Sequence, residues 1–533
     1  MSKQTERFVK GALILSLAGI LAKVISMFFR IPLVHLVGNE GAGYYTTVYP
    51  IFSLLIAIGI VGIPSAISKL IAEDIAVGAH KRAHKTFRDA LILSIIFGAS
   101  VSLLLFFGAD TLISLGGWGK ETKYVIWGLA PAPLFVCISG VIRGYFQGYQ
   151  KMKPTAISQI VENFGKVLIG ISLVYILIHQ GFSMEQAVGG AAIGATTGIV
   201  LASVYMMISY KVSRKGYQKA IDLDNSKQTD SFGQHVKRII VLAIPVSIAT
   251  AAMSIMNFID SSTIYHQMAK IGYDQHFVAE VMGQFGNAAS VINFPLIISV
   301  ALSISIIPAI SESMTKRNTV ELNKKISQGI KIAVMIALPA AAGLYLLARP
   351  VMILLYPSAD GYQYLQWYSI CLVFIIVGQT ITGILQGISK QNMPLIALAA
   401  AIVVKVVLNL LLIPTALEAE GAVISSVCFY IVFVFVNYLI LKKHVTFKLD
   451  KGGIFIKPLL ATAAMMVLVY FAFPGFMSIF HSNAVVTLLT IGLGVTLYFV
   501  ILLFTRTFTR EELSLLPKHA TIIRFLESKK LIK

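Results

Sequence analysis

The sequence predicts an all-α polytopic membrane protein of about 14 transmembrane helices, built as two six-helix bundles related by a pseudo-two-fold axis along the membrane normal plus two C-terminal helices. Three observations predict it. Of the 533 residues 57% are hydrophobic and only 13% charged, and a mean hydropathy of +0.81 is too apolar for a water-soluble globule. Apolar runs of about 20 residues, the length that crosses roughly 30 Å of hydrocarbon as helix, recur along the chain, and the alternating strands of a membrane barrel are absent. The pattern I-x-G-x-x-Q-G-x-x-K occurs twice: Gly144, Gln147, Gly148 and Lys151 recur as Gly383, Gln386, Gly387 and Lys390, and Lys166 recurs as Lys405 at the same offset. Residues so different, matched at one spacing, mark an internal duplication.

Residues 1–212 read as the N-terminal six-helix bundle. The chain starts basic, but the apolar run that follows continues to Phe29 without a small-residue cleavage site, so it reads as a first span and not a signal peptide. Span 1 covers residues 8–29 with Lys23 inside it and Arg30 and Pro32 at its exit. A loop through Gly38, Asn39 and Gly43 leads to span 2 at 44–68, followed by a basic amphipathic segment at 69–88. Spans 3 and 4 lie near 90–113 and 124–145, and the turn at 147–154 delivers the chain to span 5, which carries Glu162 and Lys166 one helical turn apart. Span 6 covers 187–210.

Residues 213–236, polar and without apolar period, read as a cytoplasmic linker. The second six-helix bundle spans 237–441. Its span 7 (239–263) carries Pro245, Asn257 and Asp260, and its span 8 (282–310) carries Asn287, Asn293, Pro295 and Pro308. The string IPAIS at 307–311 echoes IPSAIS at 63–68, which is expected to mark the restart of the pattern. Spans 9 to 12 follow near 329–348, 367–385, 395–413 and 422–441, and residues 442–505 hold two additional helices with no counterpart in the first half. Residues 506–533 form a basic tail, expected to lie amphipathically on the cytoplasmic membrane surface.

The net charge of +20 does not point to nucleic acid, because the basic residues sit in alternate loops, as a membrane topology signal does. That pattern and the even span count predict that both termini are cytoplasmic, and the expected location is the plasma membrane. Six spans per half exclude an inverted repeat, so the halves run parallel and leave a cleft between two bundles, the architecture of alternating access. Cys137, Cys371 and Cys428 fall inside spans as packing residues. No H-E-x-x-H, C-x-x-C or P-loop is present, so no catalytic residues, metal or cofactor are expected, and the energy source is expected to be Na+, H+ or the membrane potential.

A charge inside a span costs a few kcal/mol and needs a reason. Lys23 reads as a cationic cavity wall, with snorkelling to the interface as its alternative, and Arg30 extends that wall. Asn257 and Asp260 share a face of span 7 and, with Asn293, are candidate substrate contacts. Asp260 is equally a candidate coupling site or a structural partner for a cavity cation. Glu162 and Lys166 read as a self-satisfied intrahelical ion pair, with a coupling or transport role as the alternative, and Lys405, with no such partner in its own span, is the better functional candidate of the two repeated lysines, as a coupling or structural charge. Asn287 and Asn409 read as interhelical hydrogen-bonding residues. Pro50, Pro64, Pro245, Pro295 and Pro308 are expected to break helices around the cleft, and the repeated glycines to permit tight turns or close helix approach.

RGYFQGYQKMKPTAISQIVE at 143–162, GIPSAISKLIAE at 62–73 and RIPLVHLVG at 30–38 resemble the polysaccharide-biosynthesis and stage V sporulation protein B branch of the multidrug/oligosaccharidyl-lipid/polysaccharide (MOP) exporters, a branch related to the MurJ lipid II flippases. The resemblance covers nearly the whole chain. It implies a flippase that moves a polyprenyl-pyrophosphate-linked saccharide, a lipid II-like peptidoglycan precursor, between leaflets, with membrane lipids as its surroundings; a monomer is expected. By position Lys23 and Arg30 match cavity cations of the first span in MurJ-like proteins. Around Ile58 and Ser290, where those proteins carry further arginines, this sequence has apolar or small residues. The two additional helices resemble those that form a groove for the polyprenyl tail. Two other classes remain open. A cation-coupled multidrug exporter of the same superfamily would favour carboxylates and aromatics in its cavity. A polytopic glycan-assembly enzyme would need a large outside loop, whereas the longest here is about 264–281.

Overall fold

The computed structural model describes residues 3–57, 59, 62–224, 231–447, 449–450, 452–505 and 507, and among them every regular element is a helix. The chain divides into two compact units, Met1–Gly286 and Asn287–Lys533. In the first unit lie α1 (Lys3–Met27), α2 (Arg30–Ala57), α3 (Ile63–Ala76), α4 (His80–Phe107), α5 (Ala109–Gly116), α6 (Thr122–Leu129), α7 (Ala132–Gly148), α8 (Met152–His179), α9 (Met184–Asp222) and α10 (Phe232–Lys270). The boundary falls inside α11 (Gln275–Thr315). The second unit continues with α12 (Thr319–Leu346), α13 (Ala348–Leu355), α14 (Tyr362–Gly387), α15 (Pro394–Leu412), α16 (Glu418–His444), α17 (Lys457–Phe480) and α18 (Asn483–Phe504). Among the described residues 12 segments are long and apolar enough to cross a membrane, one of them the joined stretch Leu17–Ala57, so the figure of about 14 from the sequence is approximate.

Several boundaries differ from expectation for identifiable reasons. The loop expected between spans 1 and 2 contracts to one residue: Gly38, at φ 67° and ψ −174°, turns the chain sharply with helix on both sides. The linker expected at 213–236 is helical to Asp222 and again from Phe232, where Ser231 and Gln234 form a reciprocal capping box. Pro50, Pro295 and Pro308 lie within α2 and α11 without ending them, position 245 lies within α10, and Pro64 opens α3. Ile58 and, apart from Thr507, the tail at 506–533 lie outside the described residues.

The duplication is visible in the packing itself. A Cβ on Gly148 would stand 2.7 Å from Ile71 Cγ2 and 3.1 Å from the Ser68 carbonyl; a Cβ on Gly387 would stand 2.7 Å from Ile310 Cγ2 and 3.1 Å from the Ile307 carbonyl. All three residues shift by the same 239 positions. The two apolar cores repeat at that offset too: Ile67, Phe87, Ile142 and Phe146 in one are Ile306, Ile326, Ile381 and Leu385 in the other. The IPAIS string is therefore a displaced echo, since Pro308 lies five positions beyond the equivalent of Pro64. What the duplication preserves is a glycine surface on α7 and α14 that admits α3 and the end of α11 at backbone distance.

At the end of the first unit that carries basic loops, polar contacts tie three helices. Asp74 accepts from Arg82 Nε at 2.6 Å, buried Asp89 pairs with buried His235 at 2.7 Å, and Asp224 accepts from the Lys81 backbone N–H at 2.6 Å. Burial raises the Asp74 carboxyl above its ordinary range, and the Arg82 guanidinium offsets only part of that.

Alanine in a helix interior normally gains about 1 kcal/mol over glycine. Gly148→Ala and Gly387→Ala are expected to reverse that sign and lose about 1–3 kcal/mol by overpacking, seen as a lower melting temperature of the purified protein. Gly343→Ala, with nothing within 4 Å of its added Cβ, is expected to raise it.

Candidate functional site

Arg30 shows how the Gly38 bend builds a site. Its Nη1 donates to the Ala42 carbonyl at 3.2 Å and to Thr46 Oγ1 at 2.6 Å, and its Nη2 donates to the Gly283 carbonyl at 2.7 Å. In a straight helix a residue twelve positions on would lie about 18 Å away, beyond the reach of an arginine. The bend brings it back. Arg30 is buried by these contacts, which join the start of α2 to its own second half and to α11. Around it α2 and α11 approach backbone to backbone, Gly43 against the Ala279 carbonyl and Gly283 against the Asn39 carbonyl. Side chains complete the seam: Tyr44 Oη donates to Glu40 at 2.6 Å, Glu40 accepts His276 at 2.8 Å, and Thr47 Oγ1 donates to Tyr265 on α10 at 3.3 Å.

Lys166 lies midway along α8, half-buried, with its ammonium over three rings: Phe29 and Tyr49 at 4.8 Å and Tyr45 at 5.7 Å from the ring centroids. The expected pairing of Lys166 with Glu162 is not what forms. Glu162 accepts from Arg143 Nη2 at 2.7 Å, and Arg143 Nε donates to Ser158 Oγ at 2.9 Å. Arg143 on α7 can reach across to α8 with a planar, multi-donor head, and it outcompetes a lysine on the same helix.

Lys405, at the repeat-equivalent position, has the opposite surroundings. It is fully buried between α15 and α16, where Nζ donates to the Ala422 carbonyl at 3.0 Å, Ser425 Oγ at 3.2 Å and Ser426 Oγ at 2.5 Å, and Ser425 in turn donates to Asn409. The reading of Lys405 as the better functional candidate is thereby corrected. Ser425 and Ser426 supply from the neighbouring helix what its own span lacks. The same solution is closed to Lys166, because α8 and α9 meet on Gly165, Gly170, Gly194 and Gly198 with no space between them for a long side chain.

Lys23 is exposed on α1 and makes no ion pair among the described residues. Its helix runs alongside α8, with Gly11 against Met152 and Gly19 near Gln159, which sets Lys23 on the stretch of α1 beside Glu162 and Asn163. Asp260 is buried on α10 while Asn257, one turn earlier, is exposed; Asn287 is buried and Asn293 exposed on α11. The structure brings Arg30 and Lys166 together around Tyr45 and leaves Lys405 in a separate unit. Arg143, Tyr45 and Tyr49 were not singled out from the sequence; the i, i+4 spacing of the two tyrosines on α2 was the available signal. Among the described residues no cluster of three or more His, Cys, Asp or Glu can hold a metal.

Residues 8–314, more than half of the chain, match the family model described as polysaccharide biosynthesis protein. The chain belongs to that family. Residues 245–411 of this polysaccharide biosynthesis protein also match the MatE model, and both assignments fall within the MOP superfamily. It is 26% identical over 463 residues to the lipid II flippase MurJ of Bacillus subtilis (strain 168), covering 83% of each chain, and 25% identical over 534 residues to stage V sporulation protein B of the same organism, covering 97% of this chain and 98% of that one. Among solved structures, an inward closed conformation of lipid II flippase MurJ matches with a TM-score of 0.69 at 17% identity over 92% of this chain and 98% of that one. An inward-facing multidrug resistance MATE transporter of the MOP superfamily matches at 0.67 and 21%, over 79% and 94%. At these identities the structural matches establish the fold.

Removing a fully buried side chain whose donors satisfy a carbonyl and two hydroxyls leaves those groups unpaired at about 1–3 kcal/mol each. Lys405→Ala is therefore expected to lower the melting temperature and yield of monodisperse protein sharply, whereas Lys23→Ala, on an exposed position, is expected to leave both near wild type. Equal melting temperatures for the two variants would contradict the structural assignment of Lys405.

Proposed function

We propose that this polysaccharide biosynthesis protein is a flippase, and not an enzyme, that carries a polyprenyl-pyrophosphate-linked saccharide of the lipid II type across the plasma membrane by alternating access. In this reading it works as a monomer with both termini in the cytoplasm. The observation that carries the reading is an apolar groove of about 680 Å3 in the second unit, between α11, α12, α17 and α18. Phe294, Ile298, Met335, Pro339, Val495 and Tyr498 are among its walls, and the Tyr498 hydroxyl is turned away to donate to the Met335 carbonyl at 2.8 Å. A cleft of this size is large enough for part of a small ligand. Its lining, apolar apart from Thr490 and Tyr498, suits a hydrocarbon chain, and α17 and α18, which form one wall, are the two helices outside the duplication.

The first unit supplies the complementary chemistry. A pyrophosphate leaves water only if its charge is answered, and Arg30, Lys23 and Lys166 are cations inside apolar spans. The same lysines disfavour the organic cations of a multidrug exporter. The similarity to a lipid II flippase over most of both chains supports a lipid-linked substrate.

Val495→Trp and Ile298→Trp, both at exposed positions lining the groove, are expected to fill it and lower transport of a full-length polyprenyl-linked saccharide in proteoliposomes by about ten-fold or more while leaving the melting temperature near wild type. A short-chain analogue is expected to be moved by both variants as by wild type. Wild-type protein that moved no lipid-linked saccharide yet exported organic cations against a gradient would overturn the reading in favour of a multidrug exporter.

A further inference from the structure

We propose that Lys166, seated on Phe29, Tyr45 and Tyr49, is the cation that receives the phosphate groups of the lipid-linked substrate, and that the ion pair between Arg143 and Glu162 serves to keep that lysine uncompensated. The inference rests on the flippase reading and names the recognition element within it.

Glutamate four residues before lysine on a helix is the favoured orientation for an intrahelical ion pair. In α8 that pair would neutralise Lys166. Arg143 prevents it: its Nη2 holds Glu162 Oε2 at 2.7 Å, and its Nε is fixed by Ser158, whose own hydroxyl donates to the Thr155 carbonyl at 2.7 Å. The arginine side chain is 6% exposed and the glutamate side chain 23%, so the pair is a built, largely enclosed contact directed toward α7. Lys166 is left with three rings. Ring faces attract an ammonium through their quadrupole, yet they carry no formal charge and do not cancel its own. A formal charge kept midway along a spanning helix calls for a partner that comes and goes.

The second half of the duplication makes the same point by contrast. The positions equivalent to Arg143 and Glu162 are Thr382 and Ala401, so both members of the pair are absent. There the equivalent lysine, Lys405, is fully buried with its ammonium bonded to a carbonyl and two serine hydroxyls. The ion pair is present in the half whose lysine rests on aromatic rings and absent from the half whose lysine is hydrogen-bonded by a carbonyl and two serines. Arg30 cannot substitute for Lys166, because its guanidinium is already committed to Ala42, Thr46 and Gly283. An ammonium is a compact charge with three rotatable donors, suited to phosphate oxygens, and the stacked Tyr45 and Tyr49 rings, 5.4 Å apart at 21°, give it a fixed seat.

The test is equilibrium binding to the purified full-length protein in lipid nanodiscs, with farnesyl pyrophosphate, inorganic pyrophosphate and farnesol as probes. Farnesyl pyrophosphate is expected to bind wild type, and Lys166→Gln to weaken it about ten-fold. Arg143→Gln frees Glu162 to close on Lys166 and is expected to weaken binding to a similar degree. The double variant Arg143→Gln/Glu162→Gln is expected to recover to within about three-fold of wild type, as is Arg143→Lys, which still gives Glu162 a cation and serves if Arg143→Gln does not fold. Competition by inorganic pyrophosphate assigns the affinity to the phosphates, and its absence with farnesyl pyrophosphate still bound assigns it to the lipid-borne group. Unchanged binding in Lys166→Gln overturns the proposal, as does farnesol binding as tightly as farnesyl pyrophosphate, or a double variant no better than Arg143→Gln. Wild type that translocates lipid-linked saccharide alongside a fully active Lys166→Gln sinks this inference and leaves the flippase reading standing. Binding through Lys166 without translocation does the reverse.

Discussion

A lysine inside hydrocarbon must be answered by its neighbours or put to use, and that constraint organises much of what distinguishes the two halves of this chain. The duplication delivered the same residue to the same place twice, as Lys166 and Lys405. In the second half the answer is complete. Two serines and a carbonyl of α16 take the ammonium, and the lysine becomes one of the largest fully buried side chains in the protein. In the first half the glycine seam between α8 and α9 leaves no cleft to bury it in, the carboxylate one turn away is taken by Arg143, and the lysine rests on aromatic faces. The divergence follows from which side chains the adjoining helices offer, and not from the lysines themselves.

The scaffold under both lysines is conserved in a more literal way. Gly148 on Ile71 and Gly387 on Ile310 make the same contact at one offset, and the apolar cores follow position by position. Close approach of this kind relies on small residues because lipid tails are as apolar as leucine, so burial alone does not drive helices together. Backbone proximity gains dispersion and brings helix dipoles into fixed register. That explains why the repeated motif is a glycine surface: it is the part of the duplication that cannot drift without separating α7 from α3, or α14 from α11.

Much of this was legible in the chain. Composition and run length dictate helices in a membrane, and a single offset shared by glycine, glutamine and lysine dictates a duplication, which the repeated cores bear out. What stayed hidden was every pairing that crosses between helices. Glu162 and Lys166 are neighbours on paper, and local spacing favours joining them; Arg143, nineteen residues earlier, wins because the turn at 149–151 folds α7 against α8. The serines that close Lys405 are some twenty residues distant on the next helix, and a search for carboxylates in its own span passes over them. The I-P-A-I-S echo misled for a related reason, since string similarity placed Pro308 on Pro64 while the packing aligns residues five positions apart. Gly38 was read as part of a loop, and a positive-φ glycine between two helices delivers the same reversal in one residue.

The division of the chain into compact units carries a last consequence. The duplication places its boundary near the polar stretch between α9 and α10, but compactness places it at Gly286, inside α11, because α10 and the first turns of α11 pack on α2. That seam is made of Gly43 and Gly283 against opposing backbone, plus a few hydrogen bonds from Arg30, Glu40 and Thr47. Tyr44 and Tyr265, two of the largest fully buried side chains, lie in it as well, so the seam combines close backbone approach with buried aromatic surface. Arg30 sits in it as a buried cation that donates to two backbone carbonyls, one on α2 and one on α11.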